Sequence, residues 1–253
     1  MSGRFVVLFG IIGTGAAIGI VGMAQPASAD LIFGAVNGAG DCIAHVPTIP
    51  AASCEAGLGT VLGQTEHWIS PTGVTVTSES FAKNPTVTTT VNQFLDPLPI
   101  GGVAQSGIGI APPQGGADNE INNVLPTSAL PPFGNFVSLL VTNPGNAFNG
   151  TISIDSLQPG ETAEVCAEAT ADAFGGANCV PTALNGPTNQ VLGLPVAYSA
   201  ADPFLAVDAL GLPGISDVKI SDLDVKIPEP GTVALVLTGI AGLVLARRRR
   251  NSI

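Results

Sequence analysis

Charge and aromatic side chains are both scarce in this chain. Charged residues make up 11% and aromatics 5% of its 253 positions, against about 25% charged in an ordinary globular domain. Few aromatics argue against a sugar-stacking cleft. Between Asp30 and Ile227 the only cations are Lys83, Lys219 and Lys226, set against eighteen carboxylates for a formal charge of −15. Such a segment has no electrostatic footprint for nucleic acid. His45 and His67 are the only histidines and no Cys-x-x-Cys occurs, which speaks against a zinc site. Gly-x-Ser-x-Gly, His-Glu-x-x-His, Walker and kinase signatures are missing as well, so no known catalytic set or cofactor is indicated.

What is abundant is glycine and proline, 32 and 21 residues, the composition of a chain with many turns and few long helices. Short apolar or β-branched stretches alternate with this punctuation at Leu31 to Val36, Gly73 to Thr77, Thr86 to Leu95, Phe136 to Thr142, Thr151 to Leu157 and Val191 to Ala197. The pattern predicts an all-β, Gly/Pro-rich antiparallel β-sandwich, immunoglobulin-like or jelly-roll-like, over residues 30–227. From Phe136 to Cys166, strands separated by Asn143-Pro144-Gly145 and Pro159-Gly160 read as a meander. Glu161 to Phe174 fits a strand followed by a loop slightly better than a short helix.

The motif Asp-Val-Lys-Ile occurs at Asp217 to Ile220 and again at Asp224 to Ile227. An offset of seven moves alternating side chains to the opposite face, so a continuous final strand needs a bulge or turn at Ser221 to Leu223. Gly101 to Gly116, leading into Asp118 to Asn123, reads as a long surface loop. Asp118 and Glu120 are weak calcium candidates there, as are Asp217, Asp222 and Asp224, because calcium takes carboxylate oxygens. Glu66 beside His67 and Trp68 suits the orientation of an imidazole as a general base, without a nucleophile to accompany it. Paired carboxylates for glycoside cleavage are a matter of spatial separation, which spacing along the chain does not fix. Thr75, Thr77 and Thr86 to Thr90 are good exposed-strand residues and lack the repeat that an ice-ordering face requires.

Four cysteines fall into two local pairs, Cys42 with Cys54 and Cys166 with Cys179. Three connectivities are open to them. Local pairing is preferred, and each such bond contributes about 3 kcal/mol through loop closure. Disulfides fit an exported protein.

Both ends are apolar. Arg4 precedes an apolar stretch from Phe5 to Ala24 and then Gln25-Pro26-Ala27-Ser28-Ala29, where Ala27 and Ala29 form the small-residue pattern of a signal-peptidase site. Residues 1–29 therefore read as a signal peptide cleaved after Ala29, with an uncleaved anchor as the alternative. Gly13, Gly15 and Gly19 imitate a dinucleotide loop, but in a membrane-inserted segment they hold no cofactor. At the other end, Ile227-Pro228-Glu229-Pro230-Gly231-Thr232 is followed by an apolar run through Ala246 and by Arg247, Arg248, Arg249 and Arg250. Two prolines around a glutamate continue neither helix nor strand. Residues 232–246 as a transmembrane helix are about 22 Å long, short of the roughly 30 Å hydrocarbon core. The arginines close the gap by snorkelling and hold this end in the cytoplasm.

Pro228-Glu229-Pro230-Gly231-Thr232, with Ala234-Leu235, Gly239, Gly242-Leu243 and the arginine cluster, resembles the PEP-CTERM sorting signal, a tail also catalogued as an ice-binding-protein C-terminal domain. The resemblance covers residues 228–253; Ile227 stands where valine is common. It implies an exosortase, a membrane transpeptidase-like enzyme, that cuts near Pro228 to Pro230. It also implies a Gram-negative bacterium that makes extracellular polysaccharide. The expectation is a non-enzymatic protein handled by signal peptidase and exosortase. It would be held transiently in the inner membrane, then released to the periplasm, surface or extracellular matrix, with a structural or adhesive role in exopolysaccharide or biofilm. A calcium- or carbohydrate-binding module and a secreted hydrolase are the alternatives.

Overall fold

The computed structural model describes residues 27–54, 59–83, 88–96, 107–111, 121–124, 133–143, 149–175, 178–210 and 217–227. All belong to one compact unit, Pro26–Pro230. The expected signal peptide up to Pro26, the Pro228-Glu229-Pro230 hinge, the helix at 232–246, Arg247 to Arg250, and Asp118 and Glu120 lie outside the described residues. Among the described residues no helix is long and apolar enough to cross a membrane.

Among the described residues fifteen strands follow one another: β1 Ala27–Ile32, β2 Thr60–Val61, β3 Thr65–Ile69, β4 Thr75–Lys83, β5 Thr88–Thr90, β6 Gln93–Asp96, β7 Gly107–Ile110, β8 Ile121–Val124, β9 Phe133–Asn143, β10 Gly150–Asp155, β11 Thr162–Glu168, β12 Cys179–Pro181, β13 Gln190–Gly193, β14 Phe204–Leu210 and β15 Asp217–Ile227. They form two antiparallel sheets. In the first, β13 pairs β10, β10 pairs β15, and β1 and β7 share the other edge of β15, with β6 and β2 beyond β7. In the second the order is β12, β11, β14, β9, β4, with β3 and β5 along the far edge of β4. Strand β8 pairs both β9 and the start of β15, joining the sheets at one corner.

The period-two pattern explains the layers. Val218, Ile220, Leu223 and Val225 of β15, with Ile152 and Ile154 of β10, face Val137 and Leu139 of β9, Val165 of β11 and Leu205 and Val207 of β14 in one core. The switch of inward parity between Ile220 and Leu223 comes from a bulge. Ser153 pairs Asp222 while the next residue, Ile154, pairs Ile220, so Ser221 is the extra residue, as the repeated motif predicts.

Three sequence expectations are corrected. The meander is absent, because β9 lies in the second sheet, β10 in the first and β11 in the second again. Ser156, with φ 72°, turns the chain out of the sheet, and Leu157 is buried in the core beside it. The apolar anchor in the linker makes the chain cross between layers instead of folding back. Secondly, the expected surface loop at residues 101–116 contains β7, whose four residues are all buried. Gly107 lies so close to β15 that a Cβ would overlap the Ile220 carbonyl, so glycine here permits strand packing. Thirdly, Ile121–Val124 is a strand where the acidic loop was expected to continue.

At 161–174 the strand-then-loop reading holds. Ala163, Val165 and Ala167 alternate into the core, and Phe174 then folds back onto Phe136 at 5.5 Å on the opposite face. That return covers the smaller cluster of Phe81, Phe136 and Ala206.

Candidate functional site

Two neighbouring features at the β1 end of the sandwich gather the chemistry of this chain. The first is built from the segment after β1. Asn37 Oδ1 accepts from the amides of Ala39 and Asp41, and Asp41 Oδ1 accepts from Ala51 N at 2.9 Å. The Asn37 side chain and the Ala51 amide together lower the pKa of Asp41. A disulfide between Cys42 and Cys54, Cα atoms 5.8 Å apart, closes the same loop. Between these ties His45 is buried, its ring edge-on to Trp68 at 5.0 Å.

Both nitrogens of His45 are engaged. Nδ1 lies 2.6 Å from the Pro47 carbonyl, past the cis Val46-Pro47 bond, and Nε2 lies 2.5 Å from Glu66 Oε2. The carbonyl only accepts, so Nδ1 carries the proton on that side, and Nε2 is held against the Glu66 carboxyl. The other Glu66 oxygen accepts from the Gly63 amide. Glu66 thus orients an imidazole, but that of His45, 21 residues away. His67 is exposed and lies 3.2 Å from Thr77 Oγ1. With both nitrogens used, His45 has none left to take a proton from a substrate.

The second feature is an open hollow of about 350 Å³ beside β1. Ile32, Ile43, Ile69 and Pro71 give it an apolar wall, and Asp30 and Ser70 are its polar residues. Ser70 Oγ is already committed, accepting from Val74 N at 3.0 Å and lying 2.9 Å from Thr72 Oγ1. Asp30 stands directly across from Asp224 in the β1–β15 ladder, and Asp222 is hydrogen-bonded to the Asp30 side chain. Burial first, then that hydrogen bond and the charges of Asp30 and Asp224, raise the pKa of Asp222 to about 7. One Asp222 oxygen is buried without a hydrogen-bond partner. Of the weak calcium candidates, Asp222 and Asp224 therefore sit together with Asp30; the Asp217 side chain lies outside what is described.

On the outer face of the second sheet, Glu164 of β11 pairs across from Asp208 of β14, beside the Cys166–Cys179 disulfide. Burial, then the charge of Glu168, raises the pKa of Glu164. Glu164 and the two cysteine sulfurs are close enough to hold a metal, but a disulfide offers no thiolate ligand.

Sequence reasoning paired the cysteines correctly and missed both His45 and the hollow. His45 has no local signal, since its partners come from a cis-proline turn and a distant strand. Asp30 was taken only as the first residue after the cleavage site. That site falls inside the described sheet, because β1 begins at Ala27, opposite Ile227. No protein-family model matches the chain, and no curated protein or solved structure is detectably similar to it.

Proposed function

We propose that this chain is an exported surface or extracellular-matrix protein, sorted by an exosortase and contributing a structural or adhesive element to exopolysaccharide or biofilm. The observation that carries the reading is the sequence of the tail: Pro228-Glu229-Pro230, a short apolar run to Ala246, and Arg247 to Arg250, in that order. The β-sandwich is then the ectodomain, of immunoglobulin-like or jelly-roll-like type, and residues 1–29 are its signal peptide.

Other features agree with this reading. Two disulfides suit an oxidising compartment. The acidic, charge-poor middle is compatible with a hydrated matrix and poor in the groups that catalysis uses.

Replacing Pro228, Glu229 and Pro230 together by alanine tests the claim in the native host. The precursor is expected to accumulate in the inner membrane. Unchanged maturation and unchanged location would remove the sorting role.

A further inference from the structure

The hollow beside β1 gathers exposed apolar side chains in one concavity. Ile32, Ile43 and Ile69 are 38%, 41% and 38% exposed, and all three converge on it. Isolated exposed apolar residues are ordinary; several sharing one concavity mark a place where something binds. About 350 Å³ lies at the small end of ligand pockets and suits a compact group.

Its polar chemistry has one sign. Ser70 is satisfied within its own turn, which leaves the Asp30 carboxylate as the group able to orient a ligand. Asp222 and Asp224 stand behind Asp30 on β15, so an anion entering the hollow meets three acids. Facing this strip from the neighbouring strand are Thr151, Ser153 and Asp155 of β10, with Lys219 across from Asp155, and Lys226 lies two residues beyond Asp224 on β15. A second copy of a chain carrying −11 overall brings further negative charge and is disfavoured as occupant. Cleavage after Ala29 would place an α-ammonium at Asp30, offsetting one carboxylate and leaving Asp224 and the partly protonated Asp222 on an acidic rim.

We propose that this hollow is a binding site for a small organic ammonium ion, its alkyl or aryl body seated against Ile32, Ile43 and Ile69 and its cation held at Asp30. The apolar wall supplies burial and the carboxylate supplies orientation and charge selection. Recognition of this kind discriminates by sign, because a carboxylate-bearing ligand of equal shape would bury its charge beside Asp30.

The test uses the full chain in zwitterionic lipid nanodiscs with labelled isoleucine δ1 methyls, titrated with phenethylammonium and separately with the near-isosteric 3-phenylpropionate. Saturable shifts are expected at Ile32, Ile43 and Ile69 and not at the core residues Ile108 and Ile152. The anion should bind at least ten times more weakly. Asp30→Asn should reduce that preference to less than threefold, and Ile43→Ser, a change at an exposed position, should weaken the cation without removing its preference over the anion. Equal affinity for the two probes, non-saturating shifts typical of lipid partitioning, or an Asp30→Asn chain with undiminished charge preference would each overturn the assignment. The processed protein recovered from the host, titrated in the same way, should keep the preference for the cation.

Discussion

Trp68 Nε1 donates to Ser78 Oγ across 2.7 Å between β3 and β4, where both residues are fully buried. Ser78 Oγ in turn donates to Gln93 Oε1 at 2.6 Å, and Gln93 Nε2 donates back to the Ser78 carbonyl and to that of Gln64. The network ties β3, β4 and β6 together inside the core.

Ser78→Ala removes the link between donor and acceptor and leaves the indole N–H without its acceptor. An orphaned buried donor costs about 1–3 kcal/mol. Denaturant unfolding followed by the fluorescence of Trp68, the chain's one tryptophan, should show a lower midpoint with the same slope. An unchanged midpoint would mean that the indole finds another acceptor.

Deleting Ser221 tests the bulge. Without the extra residue Val218, Ile220, Leu223 and Val225, all fully buried, fall on a single period-two row, so a regular strand keeps all four inside and the pairing with β10 in register. The deleted chain should still fold, judged by circular dichroism and proteolysis, and loss of folding would contradict the assignment of Ser221 as the extra residue. Ser221→Ala keeps the register and loses only the long 3.3 Å bond to the Ser153 carbonyl, so it should cost less than about 1 kcal/mol.

The repeat that betrayed this bulge shows how much was legible. Asp-Val-Lys-Ile at an offset of seven conflicts with period two, and the conflict has one local solution. Strand existence was readable in the same way wherever β-branched residues met turn residues. Pairing was not: Asn143 to Gly150 looks like a hairpin turn, yet β9 and β10 belong to different sheets. The clue was Leu157, an apolar residue inside a linker and buried in the structure. Strands β7 and β14 were missed because Gly107, Gly109, Ala206 and Ala209 lack β-branching; their small size serves close packing. The His45–Glu66 pair and the hollow depend on approach across long loops, which composition does not encode.

Asp222 should make stability fall as pH rises. Its folded-state pKa is raised to about 7, by burial first and then by Asp30 and Asp224, whereas an unfolded aspartate titrates near 3.9. The folded chain therefore holds more protons between about pH 4 and pH 7, and stability declines across that window and levels off above it. The side chain is only partly buried, so solvent screening limits the effect to about 1–2 kcal/mol. Asp222→Asn, which can still donate to Asp30, should flatten the difference between unfolding midpoints at pH 5 and pH 8.

Removing the Cys166–Cys179 disulfide by double alanine substitution opens a loop with a sequence separation of 13. The expected loss is about 3 kcal/mol. Thermal unfolding should show it, and reduction of the wild-type chain should move its midpoint at least as far.

The sorting claim is tested most directly by fractionating the native host and determining both termini of the mature protein by mass spectrometry. The account predicts an N-terminus at Asp30, a C-terminus close to Pro228 to Pro230, and recovery from the envelope or the extracellular matrix. A chain that keeps residues 231–253 and stays in the inner membrane or the cytoplasm would contradict it.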